Sequence, residues 1–284
     1  VRPFRLTGTL CGASPLILAS PHSGQYFPPD FLADARLPVP ALRRLEDAHV
    51  GALLKDSAAL GVPLLEATHA RAVIDLNRAE PEYDPAMIAG TLSPPSVSSD
   101  RVRRGYGLFP RIAGQGQLIH AGRIPAEVAA GRLAALHRPW HGALQSALSA
   151  AAARHGHAVL LDVHSMPSLE GAAPAQLVLG DRRGESATPM LVDWLEQAFA
   201  AQGLRVARND PYAGGHTTAH HGRPAQGLHA VQLEFDRALY MDPATLKPHS
   251  GFAVLAAQIT HVLRALLAEL PALGLAAPMR LAAE

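Results

Sequence analysis

The chain has 284 residues, 48% of them hydrophobic and 17% charged, with a formal net charge of +1. That composition suits a large core in a single domain spanning 1–284. It excludes a disordered chain and offers no concentrated basic face for nucleic acid. One cysteine, Cys11, rules out an intrachain disulfide and zinc held by a cysteine cluster. No basic leader precedes an apolar core, and no apolar run nears the roughly 18 residues of a spanning helix. A cytoplasmic protein without a membrane partner is expected.

In chain order, Leu16–Ser20 reads as a buried strand that stops at Pro21-His22. After Pro38 and Pro40, residues 41–60 suit a helix closed by Gly61. Residues 63–68 and 72–77 read as further strands. The Pro-, Gly- and Ser-rich stretch 79–125 reads as a functional lid or binding loop. From 126 to 155 the pattern is helical, with Leu133, Leu136, Trp140, Leu144 and Leu148 on one stripe. Residues 158–163, 176–180 and 229–235 read as strands, 189–201 as a helix, and 252–270 as a closing amphipathic helix. Strands alternating with helices imply an α/β fold with a mixed, mostly parallel central sheet.

In open α/β sheets ligands bind beyond the carboxyl ends of strands. His22, Asn77, Arg78, His164 and Glu234 all fall at or near such ends. Two neutral imidazoles with one or two carboxylates are what a catalytic zinc needs, so a metal-dependent hydrolase is the leading reading. Ser23 and Ser165 each sit beside a histidine, but adjacent residues cannot form a nucleophile–base pair, and Gly-x-Ser-x-Gly is missing. Gly180-Asp-Arg-Arg-Gly184 lacks a phosphate-binding pattern. A noncatalytic carboxylate-binding protein would keep Asn77 and Arg78 but would have no use for Glu234.

The loop 213–222 carries His216, His220 and His221 among glycines and could line a substrate side-chain pocket, with His216 the chosen residue. His220 and His221, as neighbours on an extended segment, would point apart. His155, His157 and His261 are expected at the surface. Arg101, Arg103, Arg104 and Arg111 are candidates for binding a second carboxylate.

Several strings together resemble the N-formylglutamate amidohydrolases, relatives of the zinc carboxypeptidases. They are Ser20-Pro-His-Ser-Gly24, Leu45-Glu-Asp-Ala-His49, Ala70-Arg-Ala-Val-Ile-Asp-Leu-Asn-Arg78 and Arg138-Pro-Trp-His141. Asp162-Val-His-Ser165, the glycines 214, 215 and 222, Val231-Gln-Leu-Glu-Phe-Asp-Arg237 and Tyr240-Met-Asp242 complete the set. The resemblance implies a zinc-carboxypeptidase-like (phosphorylase/hydrolase-like) fold and one zinc ion per chain held by His22, His164 and an acid. Three residues after His22, where the carboxypeptidases place that acid, stands Gln25, a neutral amide. Asp47 is chosen instead, with its neighbour Glu46, expected to point elsewhere on a helix, the open alternative.

By the same resemblance Glu234 is the general base, and Asn77 and Arg78 hold the substrate's α-carboxylate. Arg71 would stabilise the oxyanion; an ion pair with Glu66 or Asp75 is its structural alternative. His49 and His141 would orient a ligand by hydrogen bond. The implied activity is removal of a small acyl group, formyl first, from an N-acyl amino acid such as N-formyl-L-glutamate, a reaction of histidine degradation. Another N-acyl amino acid or a short peptide is the alternative substrate. Oligomeric state is left open.

Overall fold

The computed structural model describes residues 1–114 and 116–276. The chain packs as two compact units. One holds Val1–Arg5, Ser20–Ala48 and Leu65–Ala143; the other holds Leu6–Ala19, His49–Leu64 and the chain from Leu144 onward.

The strands are β1 (Phe4–Thr7), β2 (Leu16–Ser20), β3 (Leu64–Ala67), the two-residue β4 (Ile88–Ala89), β5 (Ile112–Ala113), β6 (Gln117–Leu118) and β7 (Ile124–Pro125), then β8 (Ala158–Met166), β9 (Leu177–Gly180), β10 (Val206–Arg208) and β11 (Leu228–Asp236). The main sheet is seven-stranded, in the order β1-β3-β2-β8-β11-β9-β10. β2 with β8, β8 with β11 and β9 with β10 are parallel, whereas β9 runs antiparallel to β11. This is the mixed, mostly parallel α/β sheet with flanking helices that the alternation of patterns implies. β2, β8, β9 and β11 are buried along their whole length, as strands covered on both faces must be.

The helices are α1 (Pro29–Asp34), α2 (Val39–Leu42), α3 (Val50–Leu53), α4 (Asp100–Arg103), α5 (Ala126–Arg132), α6 (Arg138–His155), α7 (Pro189–Ala201), α8 (His216–His221) and α9 (Gly251–Glu269). A π-helical turn, Leu133–His137, joins α5 to α6. In the second unit α9 turns Leu255, Ile259, Val262, Leu263 and Leu266 inward and packs on α3 and α7. By length and composition alone α9, with a mean hydropathy of 1.5, could cross a membrane. The first unit has its own apolar cluster, built on Phe27, Phe31, Leu42, Leu45, Val73 and Ile119.

The structure corrects the sequence reading at several elements. Residues 41–60 are not one helix but α2, a 3-10 turn, α3 and a second 3-10 turn. Glu46 turns extended (ψ 149°), the Asp47 N–H donates to the His22 carbonyl (3.0 Å), and His49 adopts a left-handed φ of 66°. A tertiary hydrogen bond has displaced the helical one. Residues 72–77 form a turn rather than a strand, because the Asp75 carboxylate accepts the Asn77 N–H (2.9 Å) and closes a local loop. Loop 79–125 contains α4 and four short strands, and 216–221 is helical. His157 is buried, not surface-exposed, while His261 is exposed.

Candidate active site

In the first unit the site begins where β2 ends. Pro21 cannot donate to a ladder, so pairing stops there and the chain turns through Ser20–Ser23, whose hydroxyls bond each other. Gly24 is required: a Cβ there would sit 2.0 Å from the His69 carbonyl oxygen. That approach lets the N–H groups of Gln25 and Tyr26 both donate to the Thr68 carbonyl (3.0 and 2.9 Å). His22 is thereby held with 2% of its surface exposed.

Both ring nitrogens of His22 face carboxylates. Nδ1 lies 3.2 Å from Oδ2 of Asp47, and Nε2 lies 2.7 Å from Oδ1 of Asp75. The backbone bond from Asp47 to His22 fixes the first contact, while Glu46 turns away and takes both its oxygens to Nε of Arg43 (3.2 and 3.1 Å). Of the two adjacent acids, Asp47 is therefore the one set against the imidazole. Gln25 is exposed.

Asp75 is the hub of this unit and is fully buried. Besides His22 and the Asn77 N–H, its Oδ2 accepts Nε and meets Nη2 of Arg71, each at 2.9 Å, and lies 3.7 Å from Nη2 of Arg78. The ion-pair alternative for Arg71 is thus present with Asp75; Glu66 instead lies 3.7 Å from Arg5. Burial alone would raise the Asp75 carboxyl. Arg71, Arg78 and His22 outweigh it and hold the group well below the usual carboxylate range.

The balance is opposite for Arg78. Burial pushes it down to about 10, helped by Arg71 and Arg101, while Asp75 and Glu82 only partly oppose that. Its Nε donates to the Tyr106 carbonyl (2.9 Å) and Nη1 to the Asn77 carbonyl (2.7 Å). Arg71, Arg78 and Arg101 set three positive charges against the carboxylates of Asp75 and Glu82, so positive charge is left in excess around a buried side chain. An incoming carboxylate would relieve it.

The second unit carries a polar square in an otherwise apolar sheet. β8 and β11 pair with Asp162 opposite Gln232 and His164 opposite Glu234. Alternate residues of a strand share a face, so all four lie on the same side. All are buried. His164 Nε2 lies 3.0 Å from Oδ2 of Asp162, and Gln232 donates to Oε1 of Glu234 at 2.9 Å. Arg237 donates Nε to the Ser165 hydroxyl (3.1 Å). His216 opens α8 half-buried, with its ring 5.1 Å from that of His220. His49 Nε2 donates to the Leu246 carbonyl (2.8 Å).

Asp75 appears in the sequence only inside the string 70–78 and as a possible ion-pair partner of Arg71; its contact with His22 is not marked there. His137 is unmarked as well, although it and His141 both bond the backbone on either side of Asn77.

A buried imidazole braced by carboxylates, in one unit with the guanidinium groups of Arg71 and Arg78, is an arrangement of the kind hydrolases use. The N-formylglutamate amidohydrolase family model matches residues 14–241. The N-formylglutamate deformylases of Pseudomonas aeruginosa and Pseudomonas putida are 34% and 33% identical over 273 residues, covering 93% of this chain and 95% and 94% of theirs. The crystal structure of an N-formylglutamate amidohydrolase from Ralstonia eutropha superposes with a TM-score of 0.88 at 36% identity, covering 94% of this chain and 98% of that one. A gene product of Agrobacterium tumefaciens shares the fold, with a TM-score of 0.63 at 16% identity. The chain belongs to the N-formylglutamate amidohydrolase family, enzymes that hydrolyse an amide bond.

Proposed function

We propose that this enzyme hydrolyses the formyl amide of N-formyl-L-glutamate, releasing formate and glutamate, with one zinc ion held by His22, Asp47 and His164. The observation that carries the substrate class is the excess positive charge around buried Arg78, which an amino acid's α-carboxylate would balance. Arg101 adds to that charge, whereas Arg103 pairs with Asp100, and Arg111 lies 3.2 Å from Asp84. That favours Arg101 over Arg103 and Arg111 for the glutamate side chain, and His216 is kept as a further substrate-binding residue. Zinc, a cytoplasmic location and service in histidine degradation belong to the same reading; the exposed, unbridged Cys11 suits a reducing compartment.

The residues fit a metal. The 3.2 Å between His22 Nδ1 and Asp47 Oδ2 is near the ~3.3 Å that separates two donors on a tetrahedral zinc with bonds of ~2.0–2.1 Å. Asp75 on the other ring nitrogen supplies the carboxylate that zinc-ligating histidines commonly engage. His164 Nε2 also has a carboxylate near it, Oδ2 of Asp162 at 3.0 Å, but without hydrogen-bond geometry. When bound, zinc supplies Lewis-acid polarisation and lowers the pKa of water to about 7.

The chain's own residues do the rest. Asn77 and Arg78 anchor the α-carboxylate and so fix the formyl group in place. Glu234 takes a proton from the attacking water and delivers it to the leaving nitrogen as the C–N bond breaks. Arg71, one-fifth exposed and set on Asp75, stabilises the negative charge that builds on the carbonyl oxygen.

Elemental analysis of the purified protein beside a His22→Ala/His164→Ala variant, followed by a screen of N-acyl amino acids, tests the proposal. The expected result is one zinc per chain, lost in the variant, with N-formyl-L-glutamate turned over in preference to N-acetyl-L-glutamate. No metal after zinc is supplied, or no turnover of any N-acyl amino acid, would refute it.

A further inference from the structure

Residues 76–78 carry the two side chains assigned to the substrate carboxylate, yet among the described residues they have no strand neighbour to hold their backbone. Unpaired buried carbonyls are costly, so something else must satisfy them. The three successive carbonyls are each met by a side chain. His141 Nε2 bonds the Leu76 carbonyl (2.9 Å), Arg78 Nη1 that of Asn77 (2.7 Å), and His137 Nε2 that of Arg78 (2.8 Å). A carbonyl only accepts, so both imidazoles must carry their proton on Nε2.

The two histidines stand one helical turn apart, where the π-helical turn gives way to α6, with ring centroids 4.5 Å apart. They are 3% and 7% exposed, too buried to serve as solvated surface groups. The same stretch grips the loop further along: Arg132 Nη1 donates to the Val73 carbonyl (3.1 Å), and Arg138 holds Glu80 through two bonds (3.0 and 2.9 Å). Contacts at 73, 76, 78 and 80 make a rail along the turn, with the histidine pair bracketing Asn77.

We infer that His137 and His141 are positioning residues, whose Nε2–H donors clamp the peptides on either side of Asn77 and so aim Asn77 and Arg78 at the α-carboxylate of the substrate. The inference rests on the proposed role of Asn77 and Arg78. It assigns the clamp no part in the proton transfers, so its loss should appear in carboxylate recognition and not in chemistry.

The test compares N-formyl-L-glutamate with its α-carboxamide analogue, using the zinc-loaded enzyme and the variants His137→Leu, His141→Leu, His137→Gln and His141→Gln. Glutamine can present an N–H near the position of Nε2; leucine cannot. The leucine variants should lose about tenfold of the preference for the carboxylate substrate, through KM, with kcat for the carboxamide held within about threefold. The glutamine variants should keep the preference. Where a leucine variant does not fold, His137→Asn and His141→Asn, whose amide is too short to reach the carbonyl, should show the same loss.

An unchanged preference, or equal losses on both substrates, overturns the assignment. So does loss of a second metal equivalent, which would make the pair a metal site. Arg78→Met, run in parallel, separates the two levels. If it keeps the carboxylate preference, the underlying reading fails; if it loses the preference while the histidine variants do not, only the clamp fails.

Discussion

Glu234 sits beside His164 on the neighbouring strand, 8% exposed, with one oxygen taken by Gln232. An ionised carboxylate in so apolar a strand needs a partner or a task. With glutamine at this position the shape and the bond to Gln232 can persist, while proton transfer cannot. Glu234→Gln is therefore expected to retain metal while kcat falls by about 10²–10⁴-fold; turnover close to wild type, measured beside metal content, would remove Glu234 from the base role. Arg78 offers a second test. Its guanidinium, lowered to about 10, loses its charge as pH rises through that value. kcat/KM for the carboxylate substrate should therefore fall above about pH 10, and that for the carboxamide analogue should not; parallel profiles would mean that Arg78 does not carry recognition. At this scale His22, Asn77, Arg78, His164 and Glu234 are legible in the sequence because each follows or ends a short apolar run. Asp75 is legible only as a partner for Arg71; its second contact, with His22 Nε2 at 2.7 Å, arises only on folding.

Elements that satisfy their own backbone follow the hydrophobic pattern closely. α7 runs Pro189–Ala201 and α9 Gly251–Glu269, both where periodicity places them, and β8 and β11 extend their apolar runs by a few residues. The misread elements are those in which a distant group takes over a backbone bond: the His22 carbonyl at Asp47, and the imidazoles of His137 and His141 at 76–78. α8 forms where the sequence suggests an extended loop, and its packing has a pH consequence. Burial first, then His220, His216 and Arg223, depress His221 to about 3. In the unfolded chain its pKa is near 6.5, so the unfolded state binds more protons below that value. Stability should therefore fall as pH drops from about 6.5 towards 3. Replacing the group by His221→Gln should reduce the loss between pH 7 and pH 4.5 by on the order of 1–3 kcal/mol, read from urea midpoints at the two pH values. Equal losses in wild type and variant would show that His221 takes up its proton as readily in the folded chain as in the unfolded one.

For the molecule as a whole, the proposed metal would link to stability. His22, Asp47 and His164 are all buried, and two of the three meet carboxylates that would remain after the metal is withdrawn. An ion that binds the folded chain and not the unfolded one stabilises it by RT ln(1 + [L]/Kd), about 2.7 kcal/mol at a hundredfold excess over Kd. In a chain of this size each kcal/mol moves Tm by roughly 2–4 °C. Stripping the enzyme with a chelator should then lower Tm by about 5–10 °C, and zinc should restore it. In the His22→Ala/His164→Ala variant neither treatment should shift Tm. A wild-type Tm indifferent to chelation, with activity lost and regained on metal exchange, would show that the zinc is catalytic without supporting the fold. An unchanged Tm together with unchanged activity would remove zinc from this enzyme altogether.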